Sequence, residues 1–170
     1  MPQDADLDPP SAAAATAPAG FARPQRVAVV QSAWHRDAVE QARGAFLKEA
    51  QAWHIGNIDL FEVPGSFEIP LHVQILARTR RYTAIVAMGL VVENRFVAET
   101  VIRALMDVQL RTEVPVFSAV LAPEQFHDRS ICDQTLVAHF VAKGVEVARA
   151  CAGTLHSLER LGGQVAAGIS

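Results

Sequence analysis

Residues 63–70, VPGSFEIP, combine the residue types that are best suited to binding a polar ligand. Gly65 can take backbone angles that are closed to other residues, and Ser66 is a good helix cap. Glu68 is expected in the first turn of the helix, near the positive end of the helix dipole, where a carboxylate accepts hydrogen bonds. Pro70 is compatible with this start, because the first amides of a helix need no partner within it. The segment predicts a strand-to-helix junction at which a ligand could dock, and a purely structural turn is the alternative.

Trp34 is the second candidate, because it follows a valine-rich run and could stack on a flat heterocycle. Packing in the core or at a subunit interface is the alternative for this side chain. Lys143, beside Gly144, could meet an anion, although an exposed lysine with no such role is commoner. No GxGxxG or GxxxxGK motif is present, so nucleotide binding of those kinds has no support.

The histidines and cysteines do not predict a metal site. No two of the six histidines have the spacing of a helical zinc motif. Cys132 and Cys151 fit neither a disulfide framework nor a zinc spacing. We therefore expect no metal and no cofactor, and cysteines that are buried or incidental in a reducing compartment.

Strand and helix patterns alternate four times along the chain, which predicts an α/β fold. Because each parallel crossover needs a covering helix, we expect a flavodoxin-like three-layer sandwich with a four-stranded parallel sheet. The apolar runs place strands at residues 27–33, 57–63, 82–92 and 114–121. Helices are expected after a cap at Asp37, after Ser66, over residues 96–112, and from near Thr135 to Gly162 and Gly163.

Composition limits both the size of the fold and the class of partner. The chain has 170 residues, 51% hydrophobic content and a formal charge of −3, which favours one domain and argues against a nucleic-acid surface. We expect an Ala/Pro-rich disordered tail over residues 1–24, a domain over 25–162 and a flexible tail over 163–170. No membrane span or signal peptide is predicted, so a soluble cytoplasmic protein is expected. The high apolar content also favours a homo-oligomer.

Four blocks in order resemble the lumazine synthases of riboflavin biosynthesis: QSAWHRD, VPGSFEIPLHVQILARTRRYTAIVAMG, FVAETVIRALMDVQLRTEVPV and AKGVEVA. The resemblance covers about residues 26–160. Trp34, where many relatives carry phenylalanine, is similar to the second isoenzyme type of rhizobia and brucellae. The resemblance implies a transferase that condenses 5-amino-6-(D-ribitylamino)uracil with 3,4-dihydroxy-2-butanone 4-phosphate to 6,7-dimethyl-8-ribityllumazine without a cofactor. It also implies pentamers with sites at subunit contacts, and the second type resembles the decameric form.

The resemblance also implies roles for individual residues. Trp34 would stack on the pyrimidine, while Ser66, Phe67 and Glu68 would hold the ribityl chain and the ring. Backbone groups of Leu90, Val91 and Val92, at the end of strand three, would meet the uracil edge. Ser118 from the neighbouring subunit would complete the pocket. Lys143 would help to bind the phosphate, and Arg95 is a weaker candidate for phosphate binding and for catalysis.

The stretch after strand three departs from the family. Relatives carry there a glycine- or threonine-rich loop that cradles phosphate, followed by a histidine that transfers protons. Here only Glu93, Asn94 and Arg95 lie between Val92 and the helical pattern from Phe96, so about five residues and the histidine are missing. A natural shortening, an engineered one and an omission of the loop from the sequence as given all fit these residues. An active synthase, an impaired homologue that binds flavin or lumazine or serves as a scaffold, and an unrelated flavodoxin-like flavin carrier are therefore the alternatives.

Overall fold

A computed structural model describes residues 19–92, 94–122 and 134–168. Its four strands are β1 (Arg26–Ser32), β2 (Asn57–Val63), β3 (Ala84–Leu90) and β4 (Val116–Leu121). They form one parallel sheet in the order β2-β1-β3-β4. The helices in the described ranges are α1 (Arg36–Ala52), α2 (Ile69–Arg78), α3 (Arg95–Thr112) and α4 (Gln134–Ala166). The predicted flavodoxin-like three-layer sandwich with a four-stranded parallel sheet is confirmed.

The sheet is covered on both faces, which is why its central strands carry the apolar runs 27–30 and 84–90. On β1, Val27 and Val29 pack toward α1 and α4, whereas Ala28 and Val30 pack toward α2 and α3. Strand β3 alternates in the same way and is buried along its whole length. Because both faces of these strands are covered, their sequence shows an unbroken apolar run rather than an alternating one.

Two helix starts differ from the sequence prediction. His35, with a left-handed φ of 57°, precedes α1, so Asp37 lies in the first turn and is not the cap. Ser66 does not cap α2 either, because it begins a short 3-10 turn, Ser66–Glu68, that leads into the helix. Asn94 caps α3, since its side-chain oxygen accepts a hydrogen bond from the Phe96 amide at 2.9 Å.

Helix α4 ends later in the chain than the sequence pattern predicts. Helix α4 continues through Gly162 and Gly163 to Ala166, so the prediction that these two glycines end it is wrong. The left-handed residue comes later, at Gly168 with φ 71°. At the other end, Phe21 stacks on His156 of α4 with ring centroids 3.9 Å apart. Part of the predicted N-terminal tail is therefore packed on the domain.

Within the described ranges, no helix has both the length and the apolar character needed to cross a membrane.

Candidate functional site

A pocket of about 420 Å³ lies at the carboxyl ends of β1, β2 and β3. The chain leaves β1 toward β2 on one side and returns to β3 on the other, so the pocket occupies the switch point at which parallel α/β sheets bind ligands. Its volume suits a small organic ligand. Its lining consists of Trp34, His35, Pro64, Gly65, Ser66, Phe67, Glu68, Leu90, Val91, Val92, Asn94 and Val97.

Trp34 forms a wall of the pocket and is held there by its backbone. Its amide donates to the Pro64 carbonyl at 3.1 Å, and its own carbonyl accepts a hydrogen bond from Ser32 Oγ at 3.2 Å. The neighbouring Ala33 amide donates to the Val63 carbonyl at 2.7 Å. The indole is 68% exposed, so within this chain it is not a core side chain. A large aromatic face is therefore fixed at the pocket rim and remains accessible.

The turn after β2 supplies the polar groups of the pocket. Glu68 Oε2 accepts a hydrogen bond from the Gly65 amide at 2.9 Å, which fixes the carboxylate beside the turn. Phe67 is 68% exposed, and Ser66 is only 8% exposed. Ser66 Oγ is buried and has no hydrogen-bond partner among the described residues. A buried hydroxyl without a partner is unfavourable, so a polar atom of a ligand would satisfy it.

The end of β3 forms the opposite side of the pocket. Leu90 and Val91 are buried there, and Val92 is exposed. The Val91 amide donates to the Leu121 carbonyl on β4 at 2.9 Å. A ligand that meets the backbone here must therefore use groups other than the Val91 amide.

Three predicted residues do not line this pocket. Ser118 lies on β4, where its Oγ accepts a hydrogen bond from the Val120 amide at 3.2 Å. Lys143 lies on α4 and pairs with Glu146 at 2.9 Å. Arg95 begins α3 next to the pocket residue Asn94, and its Nε pairs with Glu99 at 3.4 Å. For Ser118 the predicted role involves the pocket of a neighbouring subunit, so its position within one chain does not test that role.

Sequence reasoning assigned no contact to several lining residues. These are His35, Pro64, Gly65, Asn94 and Val97. His35 and Gly65 are adjacent to predicted contacts and Pro64 lies two residues before Ser66, so proximity at the strand ends was a usable signal for them. Asn94 and Val97 reach the pocket because the link from β3 to α3 is short, which the motif blocks alone do not reveal.

The shifted pKa values lie away from this pocket among the described residues. A hydrogen bond from the Tyr82 hydroxyl, assisted by Arg26, lowers the pKa of Asp59 at the amino edge of the sheet. Burial raises the pKa of the Cys151 thiol to about 12. These shifts reflect structural contacts rather than groups tuned for proton transfer. In the described ranges, no group of three or more His, Cys, Asp or Glu side chains is arranged to hold a metal.

Proteins with similar sequences carry a consistent name. The chain is 68% identical over 155 residues to 6,7-dimethyl-8-ribityllumazine synthase 2 of Bradyrhizobium diazoefficiens, covering 88% of this chain and 94% of that protein. The protein of the same name from Rhodopseudomonas palustris is 63% identical, with coverage of 88% and 85%.

A third relative extends the similarity beyond the second isoenzyme type. The 6,7-dimethyl-8-ribityllumazine synthase of Rhodococcus erythropolis is 49% identical over 144 residues, covering 81% of this chain and 93% of that protein. A sequence model of the 6,7-dimethyl-8-ribityllumazine synthase family matches residues 24–159, which include all four strands and the whole pocket. The chain therefore belongs to the 6,7-dimethyl-8-ribityllumazine synthase family, a family of transferases in riboflavin biosynthesis.

Proposed function

We propose that this chain condenses 5-amino-6-(D-ribitylamino)uracil with 3,4-dihydroxy-2-butanone 4-phosphate to 6,7-dimethyl-8-ribityllumazine, releasing phosphate and water. The observation that carries the proposal is the pocket, in which an accessible Trp34 face and the polar turn at Ser66 and Glu68 converge within the region matched by the family. A flat ring favours an aromatic face, and a neutral polyol favours hydrogen-bonding groups. The pocket therefore suits a pyrimidine that carries a ribityl chain.

The reaction would proceed by imine formation, elimination of phosphate and ring closure, and it needs no cofactor. Trp34 would hold the pyrimidine ring, with Phe67 beside it at the rim, while Ser66 and Glu68 would bind the ribityl hydroxyls. Leu90, Val91 and Val92 would form the surface facing the uracil edge, without use of the Val91 amide. Aligning two substrates in one pocket lowers the barrier by making their reaction effectively intramolecular.

We propose as the working form a homo-oligomer of pentamers, namely a decamer, in the cytoplasm. Ser118 and Lys143 would then contribute to a site at a subunit contact, with Lys143 and Arg95 near the phosphate. Exposed apolar side chains on α2 and α3 support association, because burying them would stabilise a subunit interface. They are Leu71, Ile75, Ile102, Met106 and Leu110.

The short link between β3 and α3 favours a second candidate function, namely binding of lumazine or flavin, or assembly as a scaffold, with impaired catalysis. Only residues 91–94 separate Leu90 at the end of β3 from Arg95 at the start of α3, and none of them is a histidine. Loss of a positioned proton-transfer group typically slows a reaction by about 100- to 10,000-fold. Asn94 still caps α3, so the shortening is compatible with the fold.

Incubation of the purified full chain with both substrates tests the two candidates against each other. Formation of 6,7-dimethyl-8-ribityllumazine is followed by its absorbance, and phosphate release is measured in parallel. The Bradyrhizobium relative serves as the matched control under the same conditions. A comparable rate supports the synthase and rejects impaired catalysis, whereas binding of the product without turnover supports the second candidate. If neither binding nor turnover is observed, a role in ligand handling is rejected.

A further inference from the structure

At Gly89, in the buried strand β3, side chains from the end of β1 and from the turn after β2 meet the backbone of β3. A Cβ atom at this position would overlap Ser66 Oγ. It would also lie 3.3 Å from both Ser32 Oγ and Ile69 Cδ1. The end of β1 and the turn after β2 therefore both pack directly against the backbone of β3 at this residue.

The Ser66 hydroxyl is the polar group that occupies this space. It is buried, lines the pocket and has no hydrogen-bond partner in the part of the chain that the structure describes. The neighbouring Ser32 hydroxyl, by contrast, donates to the Trp34 carbonyl and so is already engaged. Because buried polar groups are normally satisfied, the Ser66 hydroxyl is the group in this part of the pocket that a ligand can satisfy.

We propose that Gly89 is a positioning residue that keeps the Ser66 hydroxyl at the inner surface of the pocket, where it hydrogen-bonds a hydroxyl or carbonyl oxygen of the bound substrate. The proposal deepens the proposed function and rests on it for the identity of the ligand. Any other residue would place Cβ where Ser66 Oγ lies, so the Ser66 side chain would have to leave its position. The side chain that contacts the ligand is Ser66, and Gly89 acts only through it.

A purely structural role for Gly89 predicts a different outcome, and a double-mutant cycle separates the two. The variants are Gly89→Ala, Ser66→Ala and the double variant, because removal of Oγ in Ser66→Ala creates room for the new methyl group. The two measurements are the melting temperature and the dissociation constant for 6,7-dimethyl-8-ribityllumazine, determined by titration of the full chain. The control is Gly153→Ala on α4, where a Cβ meets nothing within 4 Å.

Gly89→Ala should lower the melting temperature and weaken product binding. Ser66→Ala should weaken binding by about 3- to 10-fold, the effect of one neutral hydrogen bond, without lowering the melting temperature. The double variant should recover most of the melting temperature lost in Gly89→Ala, yet bind no more tightly than Ser66→Ala. Gly153→Ala should leave binding unchanged.

Two results would overturn the proposal. A double variant as unstable as Gly89→Ala would show that Ser66 is not the group for which Gly89 makes room. Wild-type affinity in Ser66→Ala or in the double variant would show that the hydroxyl does not contact the ligand. If the wild-type chain binds no product, the proposed function fails and the ligand contact is rejected with it. The melting temperatures of the cycle would still decide the steric relation between Gly89 and Ser66.

Discussion

Replacement of Trp34 by alanine should weaken binding of 6,7-dimethyl-8-ribityllumazine with little loss of stability. Stacking of a heterocyclic base on an aromatic side chain contributes about 1–3 kcal/mol, which corresponds to roughly 5- to 150-fold in the dissociation constant. The indole is 68% exposed and its position is fixed by backbone hydrogen bonds, which alanine retains. The free energy of unfolding should therefore change by no more than about 0.5 kcal/mol.

The assay can exploit the fact that the chain has only two tryptophans. Trp53 lies at the end of α1, where its indole donates to Glu49 at 3.1 Å, and it is not among the pocket residues. In a Trp53→Phe background, Trp34 is the single tryptophan, and its fluorescence should be quenched as the product binds. The affinity of Trp34→Ala itself is measured by calorimetry, which needs no tryptophan.

Trp34→Phe is the matched control, because it keeps an aromatic face at the same backbone position. It should retain most of the affinity that Trp34→Ala loses. An equal loss in both variants would point to the indole nitrogen or to ring size rather than to stacking. If Trp34→Ala bound the product as tightly as the wild type, the assignment of this wall to the heterocycle would be refuted.

Three other perturbations test separate parts of the molecule. Lengthening the link after Val92 by about five residues, with a glycine-rich stretch and a histidine as the family resemblance implies, should raise the kcat of an impaired chain by about 100- to 10,000-fold. An unchanged kcat would argue against the short link as the cause of the impairment. Asp59→Asn should lower the free energy of unfolding at pH 7, and this free energy should fall less steeply on acidification than in the wild type. The reason is that the Tyr82 hydrogen bond lowers the pKa of Asp59, so the stabilisation it gives is lost as the pH falls through that lowered pKa. Thermal melts between pH 2.5 and 7 measure both effects. In a Cys132→Ser background, Cys151 should resist thiol reagents until the chain unfolds, because burial raises the pKa of its thiol to about 12. Rapid labelling of the folded chain would contradict this burial.

The fold was predictable because the apolar runs coincide with strands that are buried on both faces. The predicted second strand, residues 57–63, has the same limits as β2. Helix starts were less predictable, since His35 takes a left-handed conformation that its residue type does not announce. Glycine also misled the prediction of the α4 end, because Gly162 and Gly163 continue a helix although glycine is unfavourable there.

The pocket was partly predictable for a topological reason. Parallel strands end at one edge of the sheet, so the residues after β1, β2 and β3 had to lie together. The packing beneath that edge could not be deduced in the same way. Ser32, Ser66 and Gly89 are far apart in the sequence, and only the register of the strands and the path of the 3-10 turn bring them into contact.

Binding and chemistry depend on different parts of this chain, and a kinetic experiment can separate them. Trp34, Ser66 and Glu68 are positioned by backbone contacts between β1 and the turn after β2, none of which involves the link from β3 to α3. The link lacks the histidine that the family resemblance implies at this place, and these contacts do not depend on it. We therefore expect a longer link to change kcat and the concentration of 3,4-dihydroxy-2-butanone 4-phosphate that the reaction requires. The dissociation constant for 6,7-dimethyl-8-ribityllumazine should stay within about threefold of the original value. A large change in that constant would mean that the link helps to shape the binding surface, and that Asn94 and Val97 belong to it functionally as well as spatially.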